Sequence, residues 1–178
     1  MTRPHIALIG MMGTGKSTVG GVLARRLHLP FWDIDAVVVE RESRSIGEIF
    51  EEAGEAYFRE QESAILREAL DCSSSLVVAL GGGSLLRPTN REMVASRAFV
   101  VWLDASSSTL VARLEGDVTR PLLKNASLPG RIETLLTERE EHYRRLANVV
   151  VPTDACVVEE VVESILAVLA RSEGYVLQ

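Results

Sequence analysis

The feature that most constrains this chain is the run Gly10-Met11-Met12-Gly13-Thr14-Gly15-Lys16-Ser17, which fits G-x-x-x-x-G-K-[ST] without mismatch. The apolar stretch His5-Ile6-Ala7-Leu8-Ile9 precedes it and reads as a buried parallel strand. After Ser17, the residues Val19, Val22, Leu23 and Leu27 fall at helical spacing, with Pro30 just beyond. Strand, glycine-rich loop and helix in that order make a phosphate cradle. The glycines let N–H groups turn inward, and the helix contributes its positive end. On this reading Gly13, Thr14 and Gly15 wrap a nucleoside triphosphate, Lys16 reaches its β- and γ-phosphates, and Ser17 Oγ sits on Mg²⁺. Thr18 supports the helix start and touches the α-phosphate. The motif specifies the nucleotide and leaves the reaction open.

Further along, Phe31-Trp32-Asp33-Ile34-Asp35 reads as a short strand with two carboxylates near its end. Ser45-Ile46-Gly47-Glu48 is a capping box that opens a helix. Gly54 interrupts that helix, and a longer amphipathic one runs to about Leu70. A buried strand over Ser75–Leu80 ends in Gly81-Gly82-Gly83, and another covers Ala98–Leu103 before a serine-rich cap and a helix through Leu114. Between Gly116 and Gly130 the periodicity disappears, and the segment, about 115–130, reads as a mobile lid, since long loops inside compact domains are usually functional. A charged helix from about Arg131 to Leu146, a strand at Val149–Val151 and a final helix carrying Val158, Val161, Val162, Ile165, Leu166 and Leu169 on one face complete the pattern. Strands alternating with helices predict a three-layer α/β/α fold around a five-stranded parallel sheet. One domain spanning 1–178 is expected, with the acceptor-binding region at about 33–62.

Composition narrows the partners. A formal net charge of −6 argues against a general nucleic-acid binder, which carries a basic face. Cys72 and Cys156 follow no metal-ligand spacing and read as reduced thiols. No apolar run approaches the roughly 20 residues that cross a bilayer, and no signal peptide precedes the first strand. A cytoplasmic monomer is expected, with no membrane or nucleic-acid partner.

Ligands of open α/β sheets bind at the C-terminal edge of the strands. The P-loop, the Asp33/Asp35 pair and the triple-glycine turn all fall on that edge. On a strand the two carboxylates point the same way, so a turn must splay them if one serves magnesium and the other a substrate hydroxyl; capping the next helix or lining a surface turn is the alternative. Three glycines after a buried strand suit a backbone that approaches a ligand closely, or a plain tight turn. Arg59 has Glu55 at i−4 and Glu62 at i+3, which gives either a surface ion pair of little worth or a guanidinium held to grip a carboxylate. Arg139 has Leu135, Leu136, His142 and Tyr143 at helical offsets, so no acid on its own helix neutralises it. Arg120, before Pro121 in the lid segment, is placed either to close over the γ-phosphate or to be solvated.

Taken together, GMMGTGKSTVG, DID, SIGEIFEEAGEAYFRE, GGG, RPLL and EREEHYRRLA, in this order along nearly the whole chain, resemble shikimate kinase, a P-loop kinase of the aromatic amino-acid pathway with a nucleoside-monophosphate-kinase-like fold. The resemblance implies transfer of the ATP γ-phosphate to the 3-hydroxyl of shikimate, with Mg²⁺. It assigns Arg59 and Arg139 to the substrate carboxylate, Asp35 to ring hydroxyls and to the proton of the attacking hydroxyl, and Asp33 to magnesium. It also gives Gly82 and Gly83 backbone contacts to shikimate, Arg120 a reach to the phosphates and Arg113 a place against the adenine. Where the family often has a basic or Asn-bearing clasp for adenine, this chain has Val151-Pro152-Thr153-Asp154-Ala155-Cys156, so backbone contacts take that role. The rival readings are a related kinase of another polyol acid such as gluconate, and a catalytically silent sensor on the same fold. The paired arginines with DID, GGG and RPLL argue against the first, and the intact set Lys16, Asp35, Arg59, Arg120 and Arg139 argues against the second.

Overall fold

The computed structural model describes residues 4–117 and 127–172. Five parallel strands, β1 (His5–Ile9), β2 (Phe31–Asp33), β3 (Val77–Ala79), β4 (Ala98–Asp104) and β5 (Val149–Pro152), form one sheet in the order β2-β3-β1-β4-β5. The register pairs Ile6 with Val77, Ile9 with Trp102, Asp33 with Ala79 and Asp104 with Pro152, so the strands finish together along one edge. Successive strand residues feed opposite layers, as the period of two requires. Ile6, Leu8, Val77, Val101 and Leu103 pack into one core, whereas Ala7, Ile9, Val78, Val100 and Trp102 pack into the other.

The first core is covered by α1 (Lys16–Leu27) and α8 (Val158–Leu169), through Val19, Leu23, Val162 and Ile165. The second takes α4 (Gly54–Asp71), α6 (Ser107–Leu114) and α7 (Leu128–Leu146), through Ile65, Leu66, Leu110, Ile132 and Leu135. The three-layer arrangement expected from the alternation is therefore present.

Local signals set most boundaries. Ser45 and Glu48 form both bonds of a capping box at α3 (Ile46–Glu52). Gly54, at φ 84°, separates α3 from α4. Four details correct the sequence reading. The second strand stops at Asp33, and α2 (Ile34–Glu42) starts at once; its Val37-Val38-Val39 run has strand-like propensity, but only Ile34 and Val38 are buried. Asp35 thus lies in a helical first turn and not on the strand. A 3₁₀ turn at Ser84–Leu86 and α5 (Pro88–Arg97) follow the glycines; α5 buries only Asn90 and Val94, too few apolar positions to betray a helix. Finally, α7 begins at Leu128, because Pro129 sits in its first turn, where a missing N–H costs nothing. Most of the lid assignment, and Arg120 with it, lies outside the described residues.

Candidate active site

The P-loop follows β1 and runs into α1. Gly10, Gly13 and Gly15 have φ of 139°, 84° and 90°, values that L side chains adopt only under strain. A Cβ on Gly10 would lie 2.3 Å from the Leu103 carbonyl oxygen, so the loop also packs too closely on β4 for any side chain there. Lys16 Nζ donates to the carbonyls of Gly10 (2.9 Å) and Met11 (2.8 Å), which holds the ammonium across the loop mouth. The Thr14 hydroxyl is turned inward, donating to Met11 O at 2.8 Å, so this residue offers a ligand only its main chain. Thr18 and Ser17 remain on the pocket wall.

Ser17 Oγ donates to a carboxylate oxygen of Asp33. The other Asp33 oxygen caps α2 by accepting from Ala36 N–H at 3.2 Å. Asp33 therefore caps the next helix, as one of the alternatives read from the sequence had it, and its other oxygen meets the P-loop serine. These two side chains offer hard oxygen donors beside the phosphate cradle. Among the described residues no group of three or more His, Cys, Asp or Glu side chains is arranged to hold a metal ion by itself. That donor set fits Mg²⁺, which takes one or two protein oxygens and completes its shell with phosphate and water.

Across the pocket lies the triple-glycine turn, and here the structure gives the glycines a different reason. Positive φ occurs at none of Gly81, Gly82 and Gly83. Instead, charged side chains of the protein crowd each of them. A Cβ on Gly81 would lie 2.2 Å from Glu62 Oε1 and 2.6 Å from Asp35 Oδ1. On Gly82 it would be 3.0 Å from Arg139 Nη1, and on Gly83 it would be 2.5 Å from Arg59 Nη2. Replacing any of the three would push a charged group out of place.

Those charged groups come from separate helices: Asp35 from α2, Arg59 and Glu62 from α4, Arg139 from α7. Arg59 donates to Glu62 Oε2 (3.0 Å) and to Glu55 Oε1 (3.0 Å). Glu62 is fully buried and the Arg59 side chain is 12% exposed, so the ion pair is not the surface pair that sequence spacing also allowed. Burial alone would lower the Arg59 pKa, but the Glu62 and Glu55 carboxylates outweigh it and raise it. Arg139 is 3% exposed. Its Nη1 approaches Met11 Sδ at 3.9 Å, and among the described residues its Nε has no hydrogen-bond partner; the same holds for Glu62 Oε1. Buried polar atoms with unspent capacity next to a pocket mark a place built for a polar ligand.

The pocket that joins these parts has a volume of about 770 Å³ and runs from Ser17 and Asp33, past Asp35 and Arg59, to Arg139. Phe50, Phe58 and Ile46 give it an apolar wall, with Phe50 and Phe58 ring centroids 5.2 Å apart. The sequence reading missed this wall, whose signal was present: the capping-box helix and its successor carry these aromatics in a chain with few. At the other end, Arg113 donates to Gly13 O (3.1 Å), Thr153 Oγ1 (3.1 Å) and Thr153 O (2.6 Å). It ties the P-loop to the segment after β5, and Thr153 is the contact that sequence alone did not single out.

A phosphate cradle with a lysine, an oxygen pair suited to magnesium and an arginine-lined pocket on the same sheet edge define a P-loop kinase of a small anionic acceptor. The family model described as shikimate kinase matches residues 12–170. A shikimate kinase of Geobacter sulfurreducens is 46% identical over 161 residues, 90% of this chain and 88% of the relative. The solved structure of shikimate kinase from Acinetobacter baumannii in complex with shikimate is 32% identical, with a TM-score of 0.92, covering 97% of this chain and 96% of that one. A gluconokinase from Sinorhizobium meliloti 1021 matches at 23% identity and TM-score 0.58 over 96% of this chain and 94% of its own, which shows the shared fold alone. The chain belongs to the shikimate kinase family, and it is an ATP-dependent kinase.

Proposed function

We propose that this chain transfers the γ-phosphate of ATP to the 3-hydroxyl of shikimate, giving shikimate 3-phosphate and ADP in chorismate and aromatic amino-acid biosynthesis. The observation that carries the reading is the convergence of Arg59, Arg139 and Asp35 on one glycine turn, facing Lys16 across a single pocket. A ring acid with one carboxylate and three hydroxyls matches that layout.

Arg59 and Arg139 grip the carboxylate, the former held by Glu62 and Glu55. Gly82 and Gly83 supply backbone contacts, and the ring rests on Phe50, Phe58 and Ile46. Asp35, in the first turn of α2, faces the ring hydroxyls and accepts the proton of the attacking hydroxyl. Lys16 holds the β- and γ-phosphates, Gly13, Thr14, Gly15 and Thr18 wrap them, and Arg113 lies against the adenine. Ser17 and Asp33 hold Mg²⁺, which neutralises charge on the phosphate oxygens when bound. Arg120 brings further positive charge to the γ-phosphate; the chain that carries it leaves the described residues at Asp117, on the pocket wall. Positioning and charge neutralisation dominate phosphoryl transfer, so these roles cover its main requirements.

Among the described residues no helix is long and apolar enough to cross a membrane; the state proposed for the enzyme is a cytoplasmic monomer. The test is ADP release from Mg-ATP with shikimate, with gluconate and with neither. Strong stimulation by shikimate alone supports the reading; equal response to both acceptors, or none, overturns it.

A further inference from the structure

The turn that carries the acceptor-side glycines has two available forms. Ser84 N–H donates to Gly81 O at 3.0 Å, closing a four-residue turn in which Gly83 has φ −103° and ψ −2°, the type I form. The central peptide, Gly82 C=O with Gly83 N–H, takes no part in that closing bond. Rotating this peptide by about 180° gives a type II turn, which needs positive φ at the third residue and therefore a glycine there. Gly83 is such a residue. The local sequence alone leaves both orientations open.

Something outside the turn selects one. Tyr143 on α7 donates its hydroxyl hydrogen to Gly82 O. The side chain is 1% exposed, its ring is tilted against Trp102 with centroids 5.9 Å apart, and it lies behind the pocket wall that Gly82 and Gly83 form. Burial pushes the phenol up to about 12, partly countered by the Arg139 guanidinium beside it, so it stays a protonated donor through the physiological range. A trans peptide points its carbonyl and its following N–H in opposite directions. With the Gly82 carbonyl drawn back to Tyr143, the Gly83 N–H faces the pocket, and among the described residues it makes no backbone hydrogen bond.

We propose that Tyr143 is a positioning residue for the acceptor: its hydroxyl locks the Gly82–Gly83 peptide in the type I orientation, which presents the Gly83 N–H to the anionic substrate beside Arg59 and Arg139. The inference rests on the reading of this pocket as the shikimate site. The hydroxyl touches no substrate atom and acts only through the peptide.

The test compares wild type with Tyr143→Phe, which keeps the ring and removes the hydroxyl. Shikimate and ATP binding are measured separately by calorimetry, and the Gly83 amide is followed by NMR in [¹⁵N]glycine-labelled protein. The expected result is a shikimate affinity lowered by roughly tenfold, in keeping with one lost hydrogen bond, and ATP affinity and melting temperature near wild type. The shikimate-induced Gly83 amide shift should be present in wild type and lost in the variant. Unchanged shikimate affinity overturns the proposal. So does an equal loss for ATP, which would indicate a merely structural role, or a loss of affinity with the Gly83 shift intact, which would place the effect on Arg139. A wild type that binds ATP and no shikimate would instead overturn the functional reading beneath it.

Discussion

At one end of the pocket, eight contiguous residues, Gly10–Ser17, fold back into a glycine-rich loop with one lysine across its mouth. At the other, single charged side chains from α2, α4 and α7 converge on three glycines that follow β3. The first end is local in sequence: Lys16 donates to carbonyls only five and six residues back. The second is assembled over long distances, Arg139 lying 57 residues along the chain from Gly82, which it packs against. A cradle made of backbone suits phosphates, which every kinase of this fold must bind. An acceptor site made of side chains on separate helices can change its substrate one helix at a time.

Substitutions at the two ends should therefore separate cleanly. The largest effect is expected at the nucleotide end: Lys16→Ala should lower kcat by roughly 10³-fold, the loss typical of a donor aimed at developing charge. Shikimate affinity, measured by calorimetry, should stay within twofold, and a parallel fall would mean the two ends are not independent. At the acceptor end, Arg139→Ala should raise the shikimate KM by about 10- to 100-fold, the worth of a hydrogen bond to a charged group. ATP affinity should hold. An unchanged shikimate KM would remove Arg139 from the site.

The smallest effect concerns the seam behind the nucleotide end. Asp154 accepts from Ser106 N–H (3.0 Å) and Ser106 Oγ (2.7 Å), where α6 begins. Hydrogen bonding from the Thr109 and Ser106 hydroxyls and from the Ser106 N–H pulls its carboxyl down to about 2. A depressed carboxylate stabilises the fold above its ordinary pKa, and that contribution disappears as pH falls through about 2. Asp154→Asn should thus melt slightly below wild type at pH 7, with the gap closing as pH drops from about 4 toward 2. A gap constant over that range would show that the hydroxyl contacts, and not the charge, do the holding. The ATP KM should rise a few-fold at most, since Arg113 is joined to Thr153 next door.

The same contrast explains what could be read from the sequence. The P-loop, the five strands and the capping box at Ser45 are set by neighbours within a few residues, and the sequence pattern gives them directly. The α2 helix was hidden because Val37-Val38-Val39 has strand-like propensity, and its cap, Asp33, is at the same time the last residue of β2. The α5 helix was hidden by its polar composition. At the acceptor end, Arg139 was visible only as a helix arginine lacking a nearby acid; that it is buried against Gly82 depends on how α7 packs on β4, which no local window contains. The reason for three glycines was likewise a tertiary one. Sequence gave the turn its flexibility, and packing gave it Glu62, Arg59, Arg139 and Tyr143 as neighbours.

The most direct measurement compares shikimate with its uncharged methyl ester as acceptor, in wild type and in Arg139→Ala. If paired arginines read the carboxylate, wild type should lose at least about 10²-fold in kcat/KM on the ester, since two charge-assisted contacts are weakened at once. The arginine variant should lose much less. Equal use of acid and ester by the wild type would contradict the assignment of the acceptor end and the choice of shikimate that rests on it.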